Sequence, residues 1–272
     1  MTKAKRMMQE DIKLIDLVIE LLDARIPLAS RNPDIDTLAN GKARLIILNK
    51  ADLADAEKTE GWLEYFKNQG IQAIKINSKD RGSMKQIDEI VKICCAEKIE
   101  RDRKKGIKNR PVRAMVAGIP NVGKSTFINT YAKKAAAKTG NKPGVTKGKQ
   151  WIRLSGSLEL LDTPGILWPK FEDQSVGLKL ALIGSIKDEI MNTEELCLEL
   201  IKALEEKYPG TLGSFYGVEI ETGEKPEITL GKIANARGCL MKGGEVDYLK
   251  AANIILENFR NGKIGKFTLD FN

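Results

Sequence analysis

The segment Gly118-Ile119-Pro120-Asn121-Val122-Gly123-Lys124-Ser125 satisfies G-x-x-x-x-G-K-[ST], directly after the apolar run Val112–Ala117 and ahead of a helical pattern. A strand, a glycine-bearing turn and a helix in that order point backbone N–H groups inward, which is what phosphates require. The expected phosphate contacts are Gly118, Asn121, Val122, Gly123, Lys124, Ser125 and Thr126. Lys124 reaches the β- and γ-phosphates and serves catalysis, and Ser125 gives a hydroxyl to Mg2+. Further on, Leu158–Leu161 runs into Asp162-Thr163-Pro164-Gly165. Asp162 at a strand's end suits a metal ion, and the Gly165 N–H suits the γ-phosphate, a second catalytic contact. D-x-x-G is a weak signal alone, but at this spacing from a phosphate loop it is strong. Thr146, in Lys142-Pro143-Gly144-Val145-Thr146, is the expected further metal ligand, with Thr139 competing for the role. The surrounding stretch 133–149 carries six lysines and no acid. It either orders on nucleotide or RNA or is an ordinary mobile loop.

Asn49-Lys50-Ala51-Asp52 follows the apolar run Leu45–Leu48 and chooses the base. A carboxylate at Asp52 can accept from guanine N1–H and its exocyclic amine, donors that adenine cannot present in the same places. Asn49 helps hold the ring and Lys50 packs along it. A site built on such hydrogen bonds rejects the wrong base, because its buried polar groups would be left unpaired. Asn77-Ser78-Lys79 follows the next run, Ile71–Ile76, and offers a backbone N–H from Ser78 or Lys79 to the guanine carbonyl. An ATP-using P-loop kinase or transport ATPase is thereby disfavoured.

Chemistry of this kind needs loops gathered at one edge of a sheet. Short apolar runs Leu17–Leu22, Leu45–Leu48, Ile71–Ile76, Val112–Ala117 and Leu158–Leu161 alternate with helical patterns, which predicts an α/β fold with a mostly parallel, doubly wound sheet. Ligands of such sheets sit at the carboxyl ends of the strands, just after each run. The base-reading motifs precede the phosphate loop and D-x-x-G, the reverse of ordinary small GTPases, so the order is circularly permuted. The splice is a helix expected from Met84 to Lys105, opened by a Ser83/Gln86 capping box, closed by Gly106 and about 33 Å long at ~1.5 Å per residue. After Pro169 helices are expected at Gln174–Ile186, Glu194–Tyr208, Thr229–Ala236 and Val246–Asn261, with few strand signals. The division is a permuted P-loop GTPase domain over 1–172 and an all-helical domain over 173–272.

With those motifs in place, the chain resembles the YlqF/RbgA family of circularly permuted ribosome-biogenesis GTPases over essentially its whole length. Asp23-Ala24-Arg25-Ile26-Pro27, Ser30-Arg31-Asn32-Pro33, Gly165-Ile166-Leu167-Trp168-Pro169-Lys170 and Arg237-Gly238-Cys239-Leu240 stand where that family has similar segments. The resemblance implies a GTP-hydrolysing switch, slow alone and stimulated by the ribosome, in late assembly of the large ribosomal subunit. It implies GTP/GDP, the large subunit and its rRNA as partners, the helical domain touching rRNA, and a chain monomeric off the ribosome. Asn121 resembles the phosphate-loop asparagine of potassium-stimulated GTPases, in which K+ plays an arginine finger's part, a device worth ~10³–10⁵ in rate. The alternative is that Asn121 only shapes the loop. Ile166 stands where Ras-like enzymes place a glutamine to orient water, and an isoleucine cannot do that. The family's implied substitute is a histidine before an N-terminal Met-x-Lys-Ala segment. This sequence opens at Met1-Thr2-Lys3-Ala4 and contains no histidine. Either the chain is shortened or the water is positioned otherwise. A nucleotide-gated RNA-binding scaffold with negligible hydrolysis is the competing reading.

The 272 residues suffice for such a core plus a smaller domain. Residues 1–172 carry 33 Lys/Arg against 21 Asp/Glu and residues 173–272 carry 12 against 16, so +12 and −4 make the net +8. The basic surface belongs to the first part, and it either attracts phosphate backbones or is a solvated lysine-rich face. Arg101, Arg103, Lys104, Lys105, Lys108, Arg110 and Arg113 cluster at the end of the connecting helix, where they contact RNA or complement the helix dipole. Cys94, Cys95, Cys197 and Cys239 lack C-x-x-C spacing and are expected as small core or helix-face residues in a reducing cytoplasm. The basic start is followed by Gln9-Glu10-Asp11 rather than an apolar block, so it does not read as a secretory signal, and no run is long enough to span a membrane.

Overall fold

The computed structural model describes residues 9–107, 110–132, 151–161, 174–186 and 192–270. Among the described residues six strands form one sheet: β1 (Leu17–Asp23), β2 (Ala43–Asn49), β3 (Gln72–Lys75), β4 (Val112–Ala117), β5 (Trp151–Arg153) and β6 (Leu158–Leu161), in the order β3-β2-β1-β4-β6-β5. All neighbours run parallel except β5, which pairs antiparallel with β6 at the edge. All seven residues of β1 are buried, as expected of a central strand covered on both faces. Its mid-strand charge, Glu20, meets the guanidiniums of Arg31 and Arg44.

The chain leaves β1 toward β2 and β3 on one side, and β4 leads toward β6 on the other. The strand order therefore reverses between β1 and β4, the position where open α/β sheets bind ligands. Because β1 to β4 are parallel, the loops after all four emerge at one edge. The permuted order of motifs thus still delivers base-reading and phosphate loops to a common place.

On the faces lie α1 (Asp34–Leu38), α2 (Ala56–Asn68), α3 (Ile87–Cys94), α4 (Ala96–Lys104) and α5 (Lys124–Tyr131). The single connecting helix expected over Met84–Lys105 is instead a 3-10 turn at Gly82–Met84 followed by α3 and α4, broken at Cys95 (φ −107°, ψ 20°). Ile87, Val91 and Cys95 keep one apolar face on the core, whereas α4 buries only Lys98, paired with Asp16 and Asp102. The capping box does not form. Asp80 accepts the Ser83 amide and hydroxyl, and Gln86 Nε2 donates to the Lys75 and Ser83 carbonyls. β5 escaped notice because three residues at an edge carry no apolar run.

Past the sheet come α6 (Gln174–Leu182), α7 (Thr193–Lys207), α8 (Thr211–Tyr216), α9 (Pro226–Ala236) and α10 (Tyr248–Arg260). The Asn192 side chain accepts from the Glu194 amide and starts α7. α6 stops short of the expected Ile186 at a left-handed Gly184 (φ 73°), with Ser185 N donating to Leu180 O and Gly184 N to Ala181 O. That pair of bonds is a Schellman motif, whose C′ position favours glycine. The short α8, containing Gly213, was not legible. The boundary expected near residue 172 lies outside the described residues.

After α10 the chain turns back in extended form onto the loops following β1 and β2. Phe267 N donates to Leu53 O (3.1 Å), Leu269 N to Arg25 O (2.7 Å) and Ala29 N to the Asp270 carboxylate (2.8 Å). The largest apolar cluster runs without interruption from β1 and β4 through Leu180, Leu200 and Ile255 to Phe267 and Leu269.

Candidate nucleotide-binding site

β4 ends in the phosphate loop, whose shape depends on close approach. A Cβ on Gly118 would lie 2.5 Å from the Leu21 carbonyl oxygen of β1, and one on Gly123 would lie 2.5 Å from Asn49 Nδ2. Gly123 also has φ 102° and sits at the N-cap of α5, so two independent reasons require glycine there. Val122 is fully buried. Lys124 opens α5 and folds back, donating from Nζ to Gly118 O (2.6 Å) and Ile119 O (2.7 Å). Burial brings its ammonium down to about 8. Ser125 is half-buried and Thr126 exposed on the first turn of α5.

Asn49 joins the two kinds of motif. At the end of β2 and 1% exposed, it donates from Nδ2 to Val122 O of the phosphate loop (2.7 Å) and accepts on Oδ1 from Ser78 N (3.0 Å). One carboxamide thus fixes the loops after β2, β3 and β4 against each other, where the sequence suggested contact with the ring. Lys79 N donates to Asn77 Oδ1 (2.9 Å), so both amides expected to face a guanine carbonyl already have partners, one on Asn49 and one within the loop. Asp52 is exposed at the rim.

Lys50 adopts φ 59° and reaches Asp23 Oδ2 with its ammonium at 2.9 Å. Asp23 and Arg25 form a buried fork, Nε to Oδ1 at 2.9 Å and Nη2 to Oδ2 at 2.8 Å. Burial pushes the Asp23 carboxyl up, but Arg25 and Lys50 outweigh it and hold it well below the usual carboxylate range. Asn121, with φ 57°, donates from Nδ2 to Gly184 O at 2.9 Å, tying the phosphate loop to the end of α6. Arg260 grips the same helix end through Ala181 O (2.8 Å) and Leu182 O (3.0 Å), while its own carbonyl accepts from Arg25 Nη1 (3.3 Å).

This architecture matches known proteins along its length. Residues 113–209 match the family model described as "50S ribosome-binding GTPase". The chain is 49% identical to Ribosome biogenesis GTPase A of Bacillus cereus, over 99% of this chain and 91% of that protein. It is 50% identical to the protein of the same name from Priestia megaterium, over 99% and 94%. The crystal structure of GNP-bound YlqF from T. maritima superposes with a TM-score of 0.66 at 28% identity, covering 99% of this chain and 98% of that one. The chain belongs to the ribosome biogenesis GTPase A family.

It is therefore a GTPase with a circularly permuted G domain. Among the expected site residues, the structure gathers Asn49, Lys50, Asp52, Ser78, Lys79, Gly118, Asn121, Val122, Gly123, Lys124, Ser125 and Thr126 at one sheet edge. Thr146, Asp162, Gly165 and Ile166 lie outside the described residues. Chemistry-based reading of the sequence passed over Asp23, Arg25 and Arg260, although a charged Asp-x-Arg directly after the run Leu17–Leu22 is a visible signal. Cys95, Cys197 and Cys239 are buried and Cys94 half-buried. Burial pushes the Cys94 thiol up to about 11 and those of Cys95 and Cys197 up to about 12. They behave as the core and helix-face residues they were expected to be.

Proposed function

We propose that this GTPase is a switch in late assembly of the large ribosomal subunit, binding rRNA through its helical residues 173–272 while residues 1–172 hold the nucleotide. The observation that carries the nucleotide half is Asn49, which locks the base-reading and phosphate loops into one site. The ribosomal half rests on the names of the relatives and of the matching family.

In this reading Asp52 accepts from guanine N1–H and its amine, and Lys50 lies along the ring. The base carbonyl displaces Asn77 from the Lys79 amide or shares the Ser78 amide. Lys124 leaves the Gly118 and Ile119 carbonyls for the β- and γ-phosphates. Ser125, Asp162 and Thr146 would hold Mg2+, which neutralises charge developing between the β- and γ-phosphates when bound. The donor set suits that ion: Mg2+ is held through one or two carboxylates plus phosphates rather than by an all-protein cage, and Asp162 is the one carboxylate here. Asn121, its amide anchored on Gly184, offers its carbonyl oxygen to K+, and Gly165 meets the γ-phosphate. Among the described residues no helix is long and apolar enough to cross a membrane. We place the protein in the cytoplasm, monomeric off the ribosome.

The test is steady-state GTP hydrolysis in potassium and in sodium buffer, with and without purified large subunits. Turnover is expected to rise with potassium and again, by ~10³ or more, with subunits. Indifference to subunits would overturn the ribosomal reading, and equal rates in sodium would remove K+.

A further inference from the structure

Asp23 is a buried charge for which the nucleotide motifs have no use. It ends β1 fully buried, and Arg25 already satisfies it with a two-pronged guanidinium contact and a backbone N–H to Oδ1 at 3.1 Å. That fork alone neutralises a carboxylate. Yet Oδ2 also takes the Lys50 ammonium. Lys50 gets there through a left-handed backbone that a lysine adopts only when its surroundings impose it. Three bonds impose it: Ala24 N to Asn49 O (2.8 Å), Ala51 N to Ile76 O (3.1 Å) and Leu53 N to Lys50 O (2.9 Å). A strained turn and a second, redundant cation at one carboxylate have a common result. They fix a side chain that is otherwise among the most mobile in proteins, two residues before Asp52.

We infer that Asp23 is a positioning residue of the guanine site. It anchors the Lys50 ammonium, so that the lysine's four-carbon stem is a fixed rail for one face of the base. Asp23 itself touches no nucleotide. The inference rests on Asn49-Lys50-Ala51-Asp52 being the base-reading loop.

The test measures GDP and IDP affinity of the full chain. Asp23→Asn alone leaves the Arg25 charge buried and unpaired and can unfold the protein, so it is made together with Arg25→Met. Arg25→Met alone is the control, because it keeps the Asp23–Lys50 pair. The double variant is expected to bind GDP about 3- to 30-fold more weakly than the control, the range for having to order a freed lysine side chain on binding. IDP affinity falls by the same factor, since IDP lacks only the amine that Asp52 reads, and adding Lys50→Met costs nothing further. Three results would overturn the inference: the control's affinity retained in the double variant, losses that add with Lys50→Met, or a collapsed GDP-to-IDP ratio. The last would mean that the whole loop, rather than the rail, had been lost. Lys50→Met with unchanged GDP affinity would sink the base-site reading itself, and the inference with it.

Discussion

At the base-reading end of the site, the ties that hold the loops are buried and reach across the sheet: Asn49 to Val122 and Ser78, Lys50 to Asp23, Asp23 to Arg25. At the phosphate end the principal cation is bound to its own loop, Lys124 on the Gly118 and Ile119 carbonyls, and Asn121 reaches out to α6 through an exposed contact. The first arrangement has little slack, because removing Asn49, Asp23 or Arg25 leaves a buried polar group unpaired. The second consists of contacts to the phosphate loop's own carbonyls and an exposed contact to a helix end, which phosphates can replace. A nucleotide site can thus combine a rigid end that selects the base with an exchangeable end that registers phosphates.

The sharpest way to break this comparison is Lys124→Ala. It is expected to cut GTP turnover by about 10²- to 10³-fold, the usual loss for one donor aimed at developing charge. The thermal midpoint should not fall, since the ammonium is bound only to carbonyls of its own loop. A melting curve shifted downward by several degrees would show that the phosphate end is as structural as the base end.

Asn49→Ala should do the opposite in stability, because it orphans Val122 O and Ser78 N in a buried setting. At roughly 1–3 kcal/mol for a group left unsatisfied, the midpoint should drop by about 5–10 °C, with GDP affinity falling alongside it. Calorimetry and a GDP titration on one sample check both, and an unchanged midpoint would refute the lock between loops.

The smallest effect sharpens the contrast by pH. Lys124 titrates near 8 in the folded chain against 10.5 for an ordinary lysine. Between those values the unfolded chain holds more protons, so this group makes the free protein more stable as pH rises. Nucleotide phosphates favour the charged ammonium, so GDP affinity should be level below pH 8 and weaken above it, by at most tenfold per pH unit. Fluorescence titrations with labelled GDP from pH 7 to 9.5 measure this. Affinity independent of pH throughout would mean that the phosphates do not use this ammonium.

The strands and the motif loops were legible because their signals are local. Val112–Ala117 and Leu158–Leu161 are bounded as the apolar runs suggested, and the G-x-x-x-x-G-K-S loop follows β4. The break at Cys95 was not legible, since helical propensity runs through it and only the need to bring Lys98 to Asp16 distinguishes two helices from one. The same holds for the shortened α6, where Gly184 and Arg260 end a pattern that continues in sequence.

By itself, then, the sequence determined the chemistry on offer: a phosphate loop, a guanine-reading carboxylate, their permuted order and the parallel strands that carry them to one edge. Only the tertiary structure decided how those pieces hold one another. Asn49 meets Val122 across 73 residues, Asn121 meets Gly184 across 63, and Arg25 meets the Arg260 carbonyl across 235. Contacts at such separations depend on strand register and on where the chain returns after α10, and neither follows from residue spacing. The physical reason is that hydrophobic periodicity encodes which face of an element is buried. The partner that a buried polar group finds there is set by the packing of the whole.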